Sequence, residues 1–289
     1  MYRVAILGCE NSHANAFIEA VLVKKEVEDV EIVGVYSDEP QASARLHEKY
    51  GVAVASSYDA FAGQVDGVII TARNGKNHYP YALPYLESGI PMFIDKPIAN
   101  SEEDAVALMR ALKARGNRFG GGSCLKYLEE LHTFARAVSD GSHGKIYGGF
   151  FRAPMDVDSP YGGFYFYAQH LVQAMCVVFG YTPRSVIACR NGDVITVTVR
   201  YELCDVVLEF VNKNYNYFAC LSTEKELLSY PLNVSPAIPV EVRAFYDLLK
   251  GGAQEENYGD FIAPVFIMNA ILRSLESGQE EAVREIGEI

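Results

Sequence analysis

Four short apolar runs, each stopped by a glycine or a polar residue, recur through the first 95 residues, at 4–7, 31–36, 68–71 and 92–95. Between them lie stretches of helical character at 13–23, 42–50 and 78–88, the last two closed by Gly51 and Gly89. A run that is apolar without alternation suits a strand covered on both faces. Strands alternating with helices at this spacing build a parallel, doubly wound sheet. Residues 52–55 read as one more short strand, and Ser101-Glu102-Glu103-Asp104 as the capped, acid-rich start of a helix that ends at Gly116.

The run Met92-Phe93-Ile94-Asp95 is followed at once by Lys96-Pro97. Pro97 cannot donate to a sheet ladder, and it biases Lys96 toward extended geometry. Lys96 is therefore expected at the carboxyl end of a buried strand, which is where open α/β sheets hold their ligands. The turn after residues 4–7 begins at Gly8, with Asn11 or Ser12 capping the next helix, a place suited to a nucleotide's phosphates.

The pattern changes after Gly120-Gly121-Gly122. One helical stretch follows at 127–139, then a strand at 145–152, and then an apolar, broadly helical stretch at 161–179. Four strand-like runs come next, at 185–189, 194–201, 206–211 and 217–222, joined by short turns that favour antiparallel pairing. Helices at 240–250 and 262–277 close the chain. Two domains are expected: 1–121, nucleotide-binding, and 122–289, an α+β domain on a largely antiparallel open sheet. One face of that sheet is expected to pack on its own helices and the other on a second subunit.

Hydrophobic residues make up 49% and charged residues 21% of the 289, as suits a sizeable core. The net charge of -12 argues against nucleic acid or anionic membrane as partners. The six cysteines show no C-x-x-C spacing and no metal pattern, which points to reduced thiols in a cytoplasmic protein.

Taken together, the chain resembles the glucose-fructose oxidoreductase / inositol dehydrogenase (Gfo/Idh/MocA) family. The resemblance rests on Asp95-Lys96-Pro97, on Thr71, Asn74 and His78 after the fourth strand, and on Gly162-Gly163 followed by His170. It implies a Rossmann domain and an NAD(P)-dependent oxidoreductase that interconverts a secondary alcohol and a ketone. The implied substrate is a small sugar-, polyol- or sugar-acid-like molecule. Lys96 and His170 become the catalytic pair. Gly8, Asn11, Ser12, His13, Ser37, Asp38, Thr71, Asn74, His78, Asp95 and Lys96 become the cofactor set, and Lys126, Asp156, Tyr161 and Tyr167 the substrate set, with no metal. A homodimer or homotetramer through the second domain's sheet is expected.

Three departures from the family pattern keep other readings open. The turn Gly8-Cys9-Glu10-Asn11-Ser12-His13 retains only the first glycine of G-x-G-x-x-G/A. Ser37 stands where NAD-preferring members carry an acid. Asp38 follows, and no arginine lies beside them, which favours NAD over NADP. Phe166 stands four residues before His170, where members often carry Asp, so Tyr167 or a backbone carbonyl is expected to orient His170. NAD-assisted glycoside cleavage and a non-catalytic nucleotide-binding sensor or subunit are the alternatives.

Overall fold

The computed structural model describes residues 1–289, which divide into two compact units. The first comprises Met1–Gly122 and Ile238–Tyr258, together with Ile289. Its strands are β1 (Tyr2–Leu7), β2 (Val30–Tyr36), β3 (Gly67–Ile70), β4 (Met92–Asp95) and β5 (Phe119–Gly122). They pair in parallel in the order β2-β1-β3-β4-β5. Every residue of β3 and β4 is buried, as unbroken apolar runs require. The strand expected at 52–55 is reduced to a single parallel bridge from Val54 to Val35. Val54 is half exposed at the sheet's margin, so little apolar burial rewards a longer ladder there. Counting that bridge as a vestigial strand beyond β2, the order becomes that of a dinucleotide-binding sheet, with the reversal between β1 and β3.

The helices of this unit are α1 (Ser12–Ile18), which runs on into a π-helical turn at Glu19–Val23, α2 (Pro40–Tyr50), α3 (His78–Ala82) and α4 (Glu102–Arg115). The helix expected over 78–88 breaks after Ala82 into a 3-10 segment, Leu83–Ser88, at whose start Pro84 offers no backbone donor. Ser101 caps α4 by accepting from Asp104 N at 3.1 Å, and three acids in its first turn complement the helix dipole. A fifth helix, α7 (Ala237–Leu249), comes from late in the chain. It presents Val242, Phe245, Leu248 and Leu249 to a core shared with Val4, Ile6, Ile69 and Phe93. Expected in the second domain, it belongs to the first: its apolar stripe is legible in the sequence, but which sheet it covers is not.

The second unit comprises Ser123–Ala237 and Gly259–Glu288. Its strands are β6 (Ile146–Met155), β7 (Ser185–Asn191), β8 (Val194–Arg200), β9 (Asp205–Asn212), β10 (Phe218–Thr223), β11 (Leu227–Pro231) and β12 (Glu281–Ala282). They are ordered β11-β10-β6-β9-β8-β7-β12, and β6–β9 is the one parallel pair. The edge strands β11 and β12 carry mostly exposed or half-exposed residues, too little pattern to announce a strand. In β8, Ile195, Val197 and Val199 are buried and alternate with half-exposed Thr196, Thr198 and Arg200. The other helices are α5 (Glu129–Ser139), α6 (Tyr165–Phe179) and α8 (Tyr258–Ser277). The expected helix 161–179 begins at Tyr165, because Gly162 and Gly163 both take positive φ.

Two glycines are imposed by close packing in the first sheet. A Cβ on Gly8 (φ 77) would lie 2.3 Å from Ala72 Cα, and one on Gly121 (φ 120) 2.1 Å from Ile94 O. Gly51 has a similar φ of 71 but open space around it. We expect Gly121→Ala to cost at least ~2 kcal/mol in urea unfolding and Gly51→Ala about 1 kcal/mol. Equal costs would show that backbone strain rather than the approach of β4 governs Gly121.

Candidate active site

In the first unit the candidate residues gather at the carboxyl ends of the strands. Gly8 and Cys9 both donate their N–H to Tyr36 O, at 2.8 and 3.0 Å, which holds the first turn against β2. Thr71 closes the other side, donating Oγ1–H to Gly8 O at 3.1 Å. Asn11 caps α1 by accepting from His13 N at 3.2 Å, and it donates Nδ2–H to Asp95 Oδ2 at 3.0 Å. His13 Nδ1 meets the other oxygen of Asp95 at 3.1 Å. The start of α1 is thus bolted to the end of β4, next to Lys96, which is 3% exposed. The Lys96–Pro97 peptide is cis.

Asp95 is wholly buried, and burial alone would raise its pKa. The charge and hydrogen bond of His13, with Lys96 adding to them, outweigh that and lower it to about 2. Burial likewise works against the His13 cation, but Asp95 overcomes it, with Glu241 of α7 contributing, and the imidazole pKa rises. His13, Asp95 and Glu241 each present one potential ligand atom within 4.8 Å of one another. Within that group Asp95 and His13 meet as an ion pair at 3.1 Å.

Glu10, one of the residues that displaced the glycines, does not project freely. It accepts Ser37 Oγ–H at 2.7 Å on Oε2 and Arg73 N–H at 2.9 Å on Oε1. Asp38 accepts from Tyr36 OH at 2.7 Å and Asn77 Nδ2 at 3.2 Å. Tyr36 packs with Tyr58 and Tyr81, and burial together with Asp38 pushes its phenol up to about 12. Asn74 caps the 3-10 turn Gly75–Asn77 and accepts from Asn100 Nδ2 at 2.8 Å. His78, expected at the cofactor, is wholly buried with Nε2 2.9 Å from Ala72 O. Burial lowers its pKa, so it is a neutral donor that shapes the turn after β3 from behind. The set suits a dinucleotide: a turn held open by Gly8, side-chain donors at Asn11 and Ser12, and carboxylate acceptors at Glu10 and Asp38 for sugar hydroxyls.

In the second unit, His170 sits on α6 and is 5% exposed. Its Nδ1 lies 2.6 Å from Ser123 Oγ. Ser123 also accepts from Leu125 N at 3.2 Å, and its own N–H is received by Gln173 Oε1 at 2.7 Å. Ser123 is thus a hydrogen-bond partner that steadies the ring at Nδ1. Tyr167 and Tyr217 flank the ring at centroid distances of 6.5 and 6.3 Å. Tyr161 packs on Phe166, which packs on Tyr167, so the aromatic run is a continuous wall within the unit. Lys126 is only 6% exposed, with Nζ over the Tyr127 ring, and Asp156 lies 4.0 Å from Lys213. The sequence pattern did not point to Ser123, Gln173, Glu241 or the Glu10 brace. For Ser123 a signal existed: it is the polar residue that ends the glycine run.

The His13–Asp95 pair has a worked pH signature. Asp95 is lowered from 3.8, so its contribution is present above that value and is lost as pH falls toward about 2. His13 is raised from 6.5, so its contribution is complete below that value and is lost as pH rises through the folded-state pKa. We expect His13→Gln to lose about 3 kcal/mol in chemical unfolding at pH 6 and clearly less at pH 9. A pH-independent loss would assign His13 to packing alone.

Comparison with known proteins points the same way. Residues 2–123 match the GFO_IDH_MocA family, an oxidoreductase family with an NAD-binding Rossmann fold. A 2,7-anhydro-N-acetylneuraminate hydratase of Mediterraneibacter gnavus is 25% identical over 126 residues, which is 43% of this chain and 33% of that protein. The match thus spans only about a third of that relative's length. Among solved structures, myo-inositol 2-dehydrogenase from Lactobacillus plantarum superimposes with a TM-score of 0.85 at 14% identity, covering 98% of this chain and 99% of that one. The WlbA dehydrogenase from Bordetella pertussis, in complex with NADH and UDP-GlcNAcA, gives 0.82 at 17% identity, covering 99% of each. The fold extends over both units, and residues 2–123, with the strand-turn-helix and the acid-Lys-Pro region, match the GFO_IDH_MocA oxidoreductase family.

Proposed function

We propose that this protein is an NAD(P)-dependent oxidoreductase, favouring NAD, that interconverts a secondary alcohol and a ketone on a small sugar-, polyol- or sugar-acid-like molecule. The observation that carries the reading is Lys96, a buried cation at the end of interior strand β4 and next to a carboxylate already committed to His13. Asp95 itself is held by His13 and Asn11, which fixes the end of the strand from which Lys96 continues. Open sheets hold ligands at this end, and reaction at a hydroxyl needs a cation to stabilise negative charge growing on its oxygen.

A nicotinamide cofactor, when bound, supplies the hydride acceptor or donor. Lys96 stabilises the developing alkoxide. His170 exchanges the hydroxyl proton, its ring steadied at Nδ1 by Ser123. Tyr167 and Tyr161 line the sugar side with aromatic surface, while Lys126 and Asp156 offer polar contacts. Asn11, Ser12 and the Gly8 turn receive the phosphates. The inositol and sugar-nucleotide dehydrogenases of the same fold support a hydroxylated substrate.

Assembly through the second sheet belongs to the same reading. Its outward face carries a register row of Ile187, Thr198, Val207, Phe150 and Cys220, exposed or half-exposed and mainly apolar. A second copy of the chain would bury that row, and the setting is cytoplasmic.

Lys96→Met keeps volume and removes charge. We expect NADH binding to stay within ~3-fold while turnover on the responsive polyol or sugar acid falls by ~10²-fold or more. Near-normal turnover would remove the oxidoreductase assignment. Light scattering at micromolar protein should return a dimer or tetramer, and a strict monomer would exclude assembly through the sheet face.

A further inference from the structure

We infer that Glu10, at the position where glycine loops carry their second glycine, supplies the carboxylate that receives the adenosine ribose hydroxyls. On this view Glu10 rather than Asp38 sets the choice of NAD over NADP. The inference deepens the proposed function and rests on it.

Dinucleotide-binding sheets ordinarily place the ribose-binding acid at the end of their second strand, about twenty residues beyond the glycine loop. Here that place holds Ser37, whose side chain is buried and too short to present an acid's acceptors. Ser37 accepts from Glu39 N at 3.0 Å, which fixes its oxygen, and it gives its proton to Glu10 Oε2 at 2.7 Å. The backbone N–H of Arg73, in the turn after β3, reaches Glu10 Oε1 at 2.9 Å. Donors from the ends of two strands therefore converge on one carboxylate carried by the turn after the strand between them.

That convergence lies where the sheet reverses direction, between β1 and β3. A carboxylate has about four lone-pair sites, and these two bonds use one on each oxygen. Glu10 is half-buried, and its carboxylate is braced by both donors. A vicinal diol, with two donors at matching spacing, is the chemistry this arrangement takes. A 2′-phosphate offers acceptors and negative charge instead, and both oppose it.

Asp38, the other acid in this region, is exposed and takes its donors from half-exposed side chains rather than from a buried hydroxyl and a backbone N–H, so it is held less firmly than Glu10. Each of its oxygens has a donor, Tyr36 OH on Oδ1 and Asn77 Nδ2 on Oδ2. Its work is to tie the tyrosine cluster of Tyr36, Tyr58 and Tyr81 to the turn after β3.

Isothermal titration of the full chain with NADH and with NADPH tests the assignment without reference to turnover. The wild type should prefer NADH by at least ~10-fold. Glu10→Gln keeps the length and an amide oxygen for one of the two bracing donors while removing the charge, and it should shrink that preference by ~10-fold or more. Asp38→Asn should move it by less than ~3-fold. Ser37→Ala frees the Glu10 carboxylate without altering it and should move the preference in the same direction as Glu10→Gln, by less. It decides the matter if Glu10→Gln fails to fold. An unchanged preference in Glu10→Gln, an equal effect of Asp38→Asn, or a tighter NADH complex in Glu10→Gln, as expected if the side chain merely obstructs the loop, overturns this assignment alone. Binding of neither nucleotide to the wild type overturns the proposed function, and this inference with it.

Discussion

The first unit depends on how it accommodates one fully buried carboxylate. Asp95 closes an interior strand with no water to solvate it, and such a charge is costly unless it is paired and hydrogen-bonded. Its two oxygens are met by Asn11 and His13. Both partners lie at the start of α1, so satisfying Asp95 also sets the angle at which that helix leaves β1. The same pair fixes the start of the segment after β4, because Lys96 continues the chain from the acid. A site built from strand ends is only as exact as the registration of those ends, and here an ion pair spans two of them.

Replacement of two glycines by Glu10 and His13 is coherent in this light. A glycine loop offers bare backbone to a phosphate and lets a helix approach a strand closely. This turn gives up both advantages and uses side chains in their place. His13 turns toward Asp95 and makes the helix–strand approach polar, while Glu10 turns toward Ser37 and Arg73 N. Only Gly8 is retained, and the reason is steric: the Ala72 backbone leaves no room for a Cβ.

The second unit applies the same device with neutral groups. His170 lies on a helix most of whose residues are buried, where a loose imidazole would sample several rotamers. Ser123 and Gln173 form a chain of hydrogen bonds that specifies one orientation. That chain begins directly after the glycine run of β5, so the segment that ends the first unit's sheet also supplies the second unit's orienting hydroxyl.

Local pattern by itself determined the class of both sheets, the interior placement of residues 92–95, a cap at Asn11 or Ser12, the cap at Ser101, and the placement of Lys96 at a strand's carboxyl end; the candidacy of His170 came from the family resemblance. The local features rest on nearest-neighbour physics: apolar periodicity, missing donors at proline, and short polar side chains that satisfy helix ends. Tertiary structure alone decided which groups answer which. It moved α7 onto the first sheet, because an apolar stripe is satisfied by any complementary surface and names none. It reduced residues 52–55 to one bridge, since ladder length depends on what covers the sheet's margin. It set Ser123 against His170, and it turned Glu10 from an apparent obstruction into a braced acceptor. The partners of Glu10 lie 27 and 63 positions away along the chain, and no local pattern encodes a hydrogen bond at that separation.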